Sequence, residues 1–430
     1  MNKKTFQQSL TFLNRAEKSI PLGSQTFSKS KVAFPKGVTP LFINQGKGCQ
    51  VWDLDGNQFT DYVSGLLAVS IGYCDNDIDQ AVIEQLKSGV SFSLPHQLET
   101  EVAELIIDSV PCAEMVRFGK NGTDATSAAI RLARAYNHKE HIAVCGYHGW
   151  QDWYIGSTTR DLGVPQSTKA LTHKFEYNNI ASLTAIFEQF PDQISAVMLE
   201  PMNIAYPEKD FLEQVKTLCQ QHNAVLIFDE TITGFRFSIG GAQQLFGVTP
   251  DLATFGKGMA NGYPISAVVG KREIMTLMED IFFSGTFAGE TLSLAASKAV
   301  LTKMKNEKVL SHIHAMGELL HTQLQATIDQ YQAHKWLSIS GHPSWLFFMI
   351  KSCGGYSDLQ LKSYFIQEMI QQGILINASH NLSYAHKEKD IQLLVSAYKH
   401  VIPLVNDMIK QQDFDQRFHG EVLQPVFKVR

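Results

Sequence analysis

Two side chains of opposite chemistry stand at the ends of two apolar runs. AVLIF (224–228) is followed by Asp229 and Glu230; DLATFG (251–256) is followed by Lys257, 28 positions after Asp229, and then by the Gly-rich GMANGYP. Short β-branched runs separated by helical patterns read as strands of a mostly parallel sheet. Ligands of such sheets sit outside the carboxyl ends of the strands, so a carboxylate and an amine are aimed into one crevice. Two more strand ends carry suitable groups. GKNGTDAT (119–126) follows MVRF (115–118) and opens the helical run AAIRLARAY, so that Asn121, Gly122 and Thr123 offer N–H groups to an anion at a helix start. CGYHGW (145–150) follows HIAVC and places Tyr147, His148 and Trp150 where a planar ring can stack.

Taken singly, each feature has a plain alternative. Asp229 could cap a helix, Lys257 could be a solvated surface lysine, a glycine-opened helix needs no ligand, and the aromatics could belong to a core. Together they match pyridoxal phosphate (PLP) chemistry. That chemistry needs a lysine to form an imine and an acid to keep the pyridine nitrogen protonated. A carboxylate beside that cation stays ionised, and a lysine in a desolvated, cation-lined site loses its proton readily. Neither GxxxxGK[ST] nor a GxGxxG after a strand occurs, which disfavours a nucleotide P-loop and a dinucleotide fold.

The bulk properties point to small-molecule chemistry. The chain has 430 residues, is 44% hydrophobic, and carries a net charge of −5 without a basic block, so nothing invites nucleic acid or an anionic membrane. The N-terminal MNKKTFQQSLTFLNRAEKSI lacks the apolar core of a signal peptide, and no uncharged apolar run approaches membrane-spanning length. A cytoplasmic enzyme is expected. The six cysteines are scattered without a CxxC pair and read as reduced, mostly buried thiols. No metal is expected either: His312 and His314, two apart on a helix, point away from each other and read as surface residues.

The elements that must position these groups follow from periodicity. Residues 5–20 read as an amphipathic helix and GSQTFSKSKVAFPKGVTP as a loop. PLFINQGKGCQVWDLDGNQFTDYV alternates with period two and breaks at Asp55-Gly56, which predicts a hairpin. MVRF, HIAVC, ISAVMLE (194–200), AVLIFD and DLATFG alternate with helical stretches, which predicts an α/β domain. Beyond helices at 290–332, WLSISGHPSWLFFMIKS reads as sheet, with helices at 357–373 and 388–412. The expected division is an N-terminal segment with a small sheet (1–65), a large α/β domain (66–305) and a C-terminal α+β domain (306–430).

With these residues assembled, the chain resembles the class III PLP aminotransferases of fold type I, and within them the glutamate-1-semialdehyde aminomutase-like branch. The likeness runs from LNRAEKSIPLG through GKGCQVWDLDGNQFTDYV, MVRFGKNGTDAT, GYHGW, MLEP, LIFDETITGFRF, FGKGMANGYPISAVVGKREIM and GTFAGETLSLAA to LSYAHKEKDI. The resemblance implies a large domain with a mostly parallel sheet and a smaller α+β domain built from both termini. It implies Lys257 as Schiff-base lysine, Asp229 as partner of the pyridine nitrogen, and Gly122 and Thr123, with Asn121, as phosphate contacts. Tyr147 would stack on the cofactor, with His148, Glu200 and Thr231 around it. Thr286 would reach the phosphate of a neighbouring subunit, which implies a homodimer.

Departures from the aminomutase pattern bear on the reaction. Asn121 stands where that branch has serine, and Thr231 where it has valine. The SPVR-like segment is replaced by SQTFSKSKVAFPKG, and the glutamate-bearing gate by NASHN before LSYAH. A two-substrate aminotransferase fits better, with L-glutamate as donor. Gln25, Ser28, Lys29, Lys31, Arg160, Asn377, His380 and Asn381 suggest a hydroxylated or anionic acceptor, a keto or aldehydo sugar as in the surface-sugar and amino-sugar enzymes of this family. The alternatives are an aminomutase and a non-catalytic PLP-binding protein.

Overall fold

The computed structural model describes residues 3–425. The described residues form two compact units: one holds Ala68–Ser70 and Asn76–Leu310, the other residues 3–67, Ile71–Asp75 and residues 311–425. In chain order the strands are β1 (Ile43–Lys47), β2 (Gln50–Asp53), β3 (Gln58–Asp61), β4 (Met115–Gly119), β5 (His141–Cys145), β6 (Thr172–Lys174), β7 (Ile194–Leu199), β8 (Val225–Asp229), β9 (Leu252–Phe255), β10 (Ser266–Gly270), β11 (Leu337–His342), β12 (Trp345–Ile350), β13 (Ile374–Leu375) and β14 (Ser379–His380).

The first unit is built on a seven-stranded sheet of order β4-β10-β9-β8-β7-β5-β6. β5, β6, β7, β8 and β9 pair in parallel, whereas β10 runs antiparallel to both β4 and β9. β4 therefore runs in the same direction as β9, and the carboxyl ends of β4, β5, β8 and β9 share one edge of the sheet. Every residue of β7, β8, β9 and β10 is buried, as expected where helices cover both faces. The helix Gly122–Asn137 buries Ala125, Ala128, Ala129, Leu132 and Ala133 in the core cluster that includes Ile142, Met198 and Ile227. Its alanines recur at helical spacing and let the backbone approach the sheet closely. It ends at His138, whose φ of +57° turns its N–H back to the carbonyl of Arg134 at 3.0 Å.

β6 and β10 lie outside the sequence-based strand assignment. β10 follows the Gly-rich stretch after Lys257 so closely that no crossover helix fits between β9 and it, and a short return of that kind suits antiparallel pairing.

The second unit carries a β1-β2-β3-β13 sheet and a β11-β12-β14 sheet. The β2–β3 hairpin turns at Asp55-Gly56, where Gly56 has φ +82° and the Asp53 carboxylate accepts the N–H groups of Asp55 and Asn57 at 2.9 and 2.8 Å. The leading helix spans Gln7–Ala16, shorter than the expected 5–20, because the chain breaks ahead of Pro21. Asp55 receives the N–H groups of Gln8 and Ser9 at that helix's start, at 2.9 and 3.1 Å. The expected loop after it contains two short turns, Pro21–Gly23 and Phe27–Lys29. All six cysteines are free; Cys49, Cys112 and Cys219 are buried and Cys74 is exposed. Among the described residues no helix is long and apolar enough to cross a membrane.

Candidate active site

Asp229 closes β8 and is 5% exposed. A carboxylate so placed must satisfy both oxygens within the protein. Oδ2 lies 2.8 Å from Nδ1 of His148, itself 1% exposed, while Oδ1 accepts from the Thr231 hydroxyl at 2.6 Å, the Thr231 N–H at 3.1 Å and the Thr254 hydroxyl at 3.2 Å. The other ring nitrogen of His148 lies 3.1 Å from the Cys145 carbonyl. Burial works to raise the Asp229 carboxyl, but the His148 bond and charge, with the Thr231 bonds, outweigh it and hold the group below its ordinary value. The acid at this strand end stays ionised while removed from water.

Lys257 follows β9, the neighbour of β8, so the amine and the carboxylate emerge from adjacent strands. Burial pushes its ammonium below the usual lysine value, with help from the Arg236 cation and against the pull of Asp229 and Glu200. Its φ is +41°, in the left-handed region that a side chain rarely occupies. Glu200 follows β7; burial and the nearby Asp229 push its carboxyl up, and it accepts the Tyr147 N–H and the Asn203 amide, both at 3.0 Å. A Cβ on Gly146 would stand 2.5 Å from Glu200 Oε2, so only glycine lets the loop approach that carboxylate.

The β4–helix turn shows how the loop Lys120–Thr123 is shaped. The Asp124 carboxylate takes the N–H groups of Lys120 and Asn121, at 3.0 and 2.8 Å, and the Asp124 N–H returns to the Asn121 carbonyl at 2.9 Å. Gly122 and Thr123 then open a 16-residue helix whose dipole favours an anion. The cup meets the other strand ends directly: a Cβ on Gly122 would lie 3.0 Å from Thr231, and one on Gly149 2.3 Å from the Thr123 hydroxyl. Asn121, Gly122, Thr123, His148, Thr231, Asp229, Glu200 and Lys257 thus belong to one unit and one sheet edge. Tyr147, 47% exposed, packs edge-on against Tyr154 with ring centroids 5.6 Å apart.

Other expected residues sit elsewhere. His380, on β14, is 0% exposed, bonded to the Tyr398 hydroxyl at 2.9 Å, and burial lowers its pKa to about 3. Asn381 is 4% exposed and bonded to the Val63 carbonyl, the Tyr62 carbonyl and the Ser379 hydroxyl. Both bond to residues of their own unit. Lys31 is paired with Glu17. Lys29 and Arg160 are exposed, and Asp161 beside Arg160 pairs with Lys169 at 2.9 Å. Thr286 is exposed on the loop before the helix Thr291–Asn306. His312 and His314 are half-buried rather than on the surface, the first bonded to the His386 carbonyl at 2.7 Å and the second edge-on to His342.

Two residues escaped the sequence reading. Thr254 is the polar exception within the apolar β9 and stands opposite Asp229 in the parallel register; that exception was its signal. Arg236 is 1% exposed, and burial lowers its pKa to about 10. It lies in an ordinary-looking FRF triplet, with no pattern to mark it as interior.

This donor set fits pyridoxal phosphate. It joins a half-buried amine of lowered basicity, a buried carboxylate held ionised, and a glycine-opened helix start. The family model for aminotransferase class-III matches residues 32–386. The chain is 33% identical over 419 residues to the 3-aminobutyryl-CoA aminotransferase of Cloacimonas acidaminovorans (strain Evry), covering 95% of this chain and 99% of that protein. It is 34% identical over 422 residues to glutamate-1-semialdehyde 2,1-aminomutase 2 of Halalkalibacterium halodurans, covering 92% and 97%. Among solved structures, the FumI protein of Sphingopyxis sp. MTA144 in a PLP form matches with a TM-score of 0.87 at 26% identity, covering 94% of this chain and 98% of that one.

Proposed function

Because this chain belongs to the class-III aminotransferases, in their glutamate-1-semialdehyde aminomutase-like branch, and uses pyridoxal phosphate, we propose that it transfers the amino group of L-glutamate to the carbonyl of a sugar or sugar acid. The observation that carries the catalytic part is the half-buried, less basic Lys257 after the strand beside His148-paired Asp229. When bound, the cofactor supplies a protonated pyridine ring that takes up the electrons left as a bond to Cα breaks. Asp229 holds a proton at the ring nitrogen. Lys257, its basicity lowered, would carry the proton between the donor Cα and the C4′ carbon of the bound cofactor, and back in the second half-reaction. Asn121, Gly122 and Thr123 bind the phosphate at the helix start.

The acceptor reading rests on the two segments that depart from the aminomutases, 24–37 and 377–381. With Lys31 paired to Glu17 at the surface, and His380 and Asn381 bonded within their own unit, Lys29 and Arg160 are the candidates for an acceptor carboxylate. Arginine suits that role because its planar fork grips a carboxylate at two points. On the resemblance to the surface-sugar enzymes of this family, the acceptor we propose is the C8 aldehyde of an oxidised octulosonate, giving 8-amino-3,8-dideoxy-manno-octulosonate for a surface polysaccharide. The test is to reduce the enzyme with glutamate, confirm 2-oxoglutarate, and offer keto and aldehydo sugars, sugar acids and a 3-oxoacyl-CoA. Turnover of an acidic sugar supports the reading. Turnover of the acyl-CoA alone, or isomerisation of an amino-aldehyde without 2-oxoglutarate, overturns it.

The working form is a homodimer in this reading. Phe92 and Leu94, 50% and 79% exposed, line a cavity of about 710 Å³ together with Thr286, and Phe282 and Phe287 nearby are 85% and 61% exposed. Clustered large apolar side chains of this kind mark an association surface. Sedimentation of the holoenzyme and of Phe282→Asp checks it; a wild-type monomer refutes it.

A further inference from the structure

Outside the residues already assigned, one well-shielded ion pair in the first unit joins two loops of the site. Lys120 Nζ lies 2.7 Å from Glu290 Oε1, with side-chain exposures of 19% and 13%. The partners are 170 residues apart. Lys120 immediately precedes Asn121–Thr123, and its own N–H is fixed by Asp124. Glu290 caps the helix Thr291–Asn306, accepting the N–H groups of Leu292 at 2.9 Å and Ser293 at 3.1 Å. It also closes the loop that carries Thr286, since its N–H reaches the Phe287 carbonyl at 3.2 Å. The capped helix packs against the turn that Lys257 begins. One carboxylate thus joins the phosphate cup, the Thr286 loop and the helix behind the lysine. Glu290 keeps its charge: burial alone would raise its carboxyl, but Lys120 and the Ser293 bond bring it below the ordinary value.

We propose that Lys120 and Glu290 are a positioning pair for the phosphate end of the cofactor, holding the cup in register with the Thr286 loop and the Lys257 turn. Neither side chain need touch the cofactor. Charge matters here because a pair shielded from water has few alternative partners and holds its geometry, where a mobile surface pair would not. The inference rests on the reading that Asn121–Thr123 holds the phosphate.

The experiment compares equilibrium binding of PLP and of pyridoxal, which lacks the phosphate, to the apo forms of wild type, Lys120→Met, Lys120→Arg, Glu290→Gln and Thr123→Val. Lys120→Met and Glu290→Gln should each weaken PLP by about tenfold while leaving pyridoxal unchanged, and Lys120→Arg should recover most of the loss. Glu290→Gln keeps an oxygen for the helix cap, so it separates lost charge from a lost cap. If both cofactors weaken by the same factor, the pair serves the scaffold and the proposal fails. If Thr123→Val loses PLP selectively while the pair variants lose nothing, the cup stands and the pair has no part in it. If Thr123→Val also fails to separate PLP from pyridoxal, the cup reading falls and the proposal with it.

Discussion

Replacing His148 by phenylalanine tests the electrostatic core of the site. The ring is 1% exposed and lies between Asp229 Oδ2 at 2.8 Å and the Cys145 carbonyl at 3.1 Å, so phenylalanine keeps most of the volume and removes both contacts. Asp229 retains the Thr231 and Thr254 bonds on Oδ1 and should not swing away. A hydrogen bond to a charged group is worth about 1.5–3 kcal/mol. Its loss should therefore disfavour the anion by a comparable amount and raise the Asp229 carboxyl. The sign follows from the environment: the carboxyl is now held below its ordinary value, so function that needs the anion persists to low pH and is lost as pH falls through that depressed pKa. Without His148, burial prevails and the loss begins at higher pH. The assay is the pH profile of the glutamate half-reaction, followed by cofactor absorbance in single turnover, with a thermal melt to show that the variant is folded. An acid limb that stays in place in a folded variant refutes the argument that His148 holds Asp229 ionised.

Lys257→Ala should abolish turnover and the borohydride-stable attachment of cofactor together; reduced cofactor found on another lysine would displace Lys257 from its role. In the wild type, burial of Lys257 predicts that turnover rises with pH along a limb below the usual lysine range, and a limb at the ordinary lysine value would contradict it. Gly149→Ala places a Cβ 2.3 Å from the Thr123 hydroxyl at a φ of +106°, so PLP affinity should drop by about tenfold or more; unchanged affinity in equilibrium binding would show that the loop yields. Arg160→Ala should slow only the acceptor half-reaction, and equal slowing of the glutamate half-reaction would assign Arg160 to the donor or the scaffold.

The strand ends were legible because apolar runs of strand length announce themselves, and the first polar residue after each run must face the sheet edge. Asp229 and Lys257 were read in that way, and Thr123 from the glycine-opened helix start after MVRF. The pairing of His148 with Asp229 was not, since the two are 81 residues apart and only the strand order brings them together. β10 escaped for a related reason: SAVVG is short, and its place between β4 and β9 is decided by a tight return that composition does not display. His380 and Asn381 show how little the letters alone decide. A polar side chain satisfied inside a core has the same letters as one that faces a ligand, and only its partners tell them apart.

The left-handed backbone at Lys257 bears on how such a chain ages. A non-glycine residue at φ +41° costs about 1–2 kcal/mol relative to a relaxed one, so selection for stability alone would favour glycine at this position. Lys257→Gly should melt above Lys257→Ala, because alanine keeps the strain and glycine releases it. Folding and catalysis therefore pull this position in opposite directions. In a lineage released from the reaction, the backbone at this position would no longer hold the lysine against glycine.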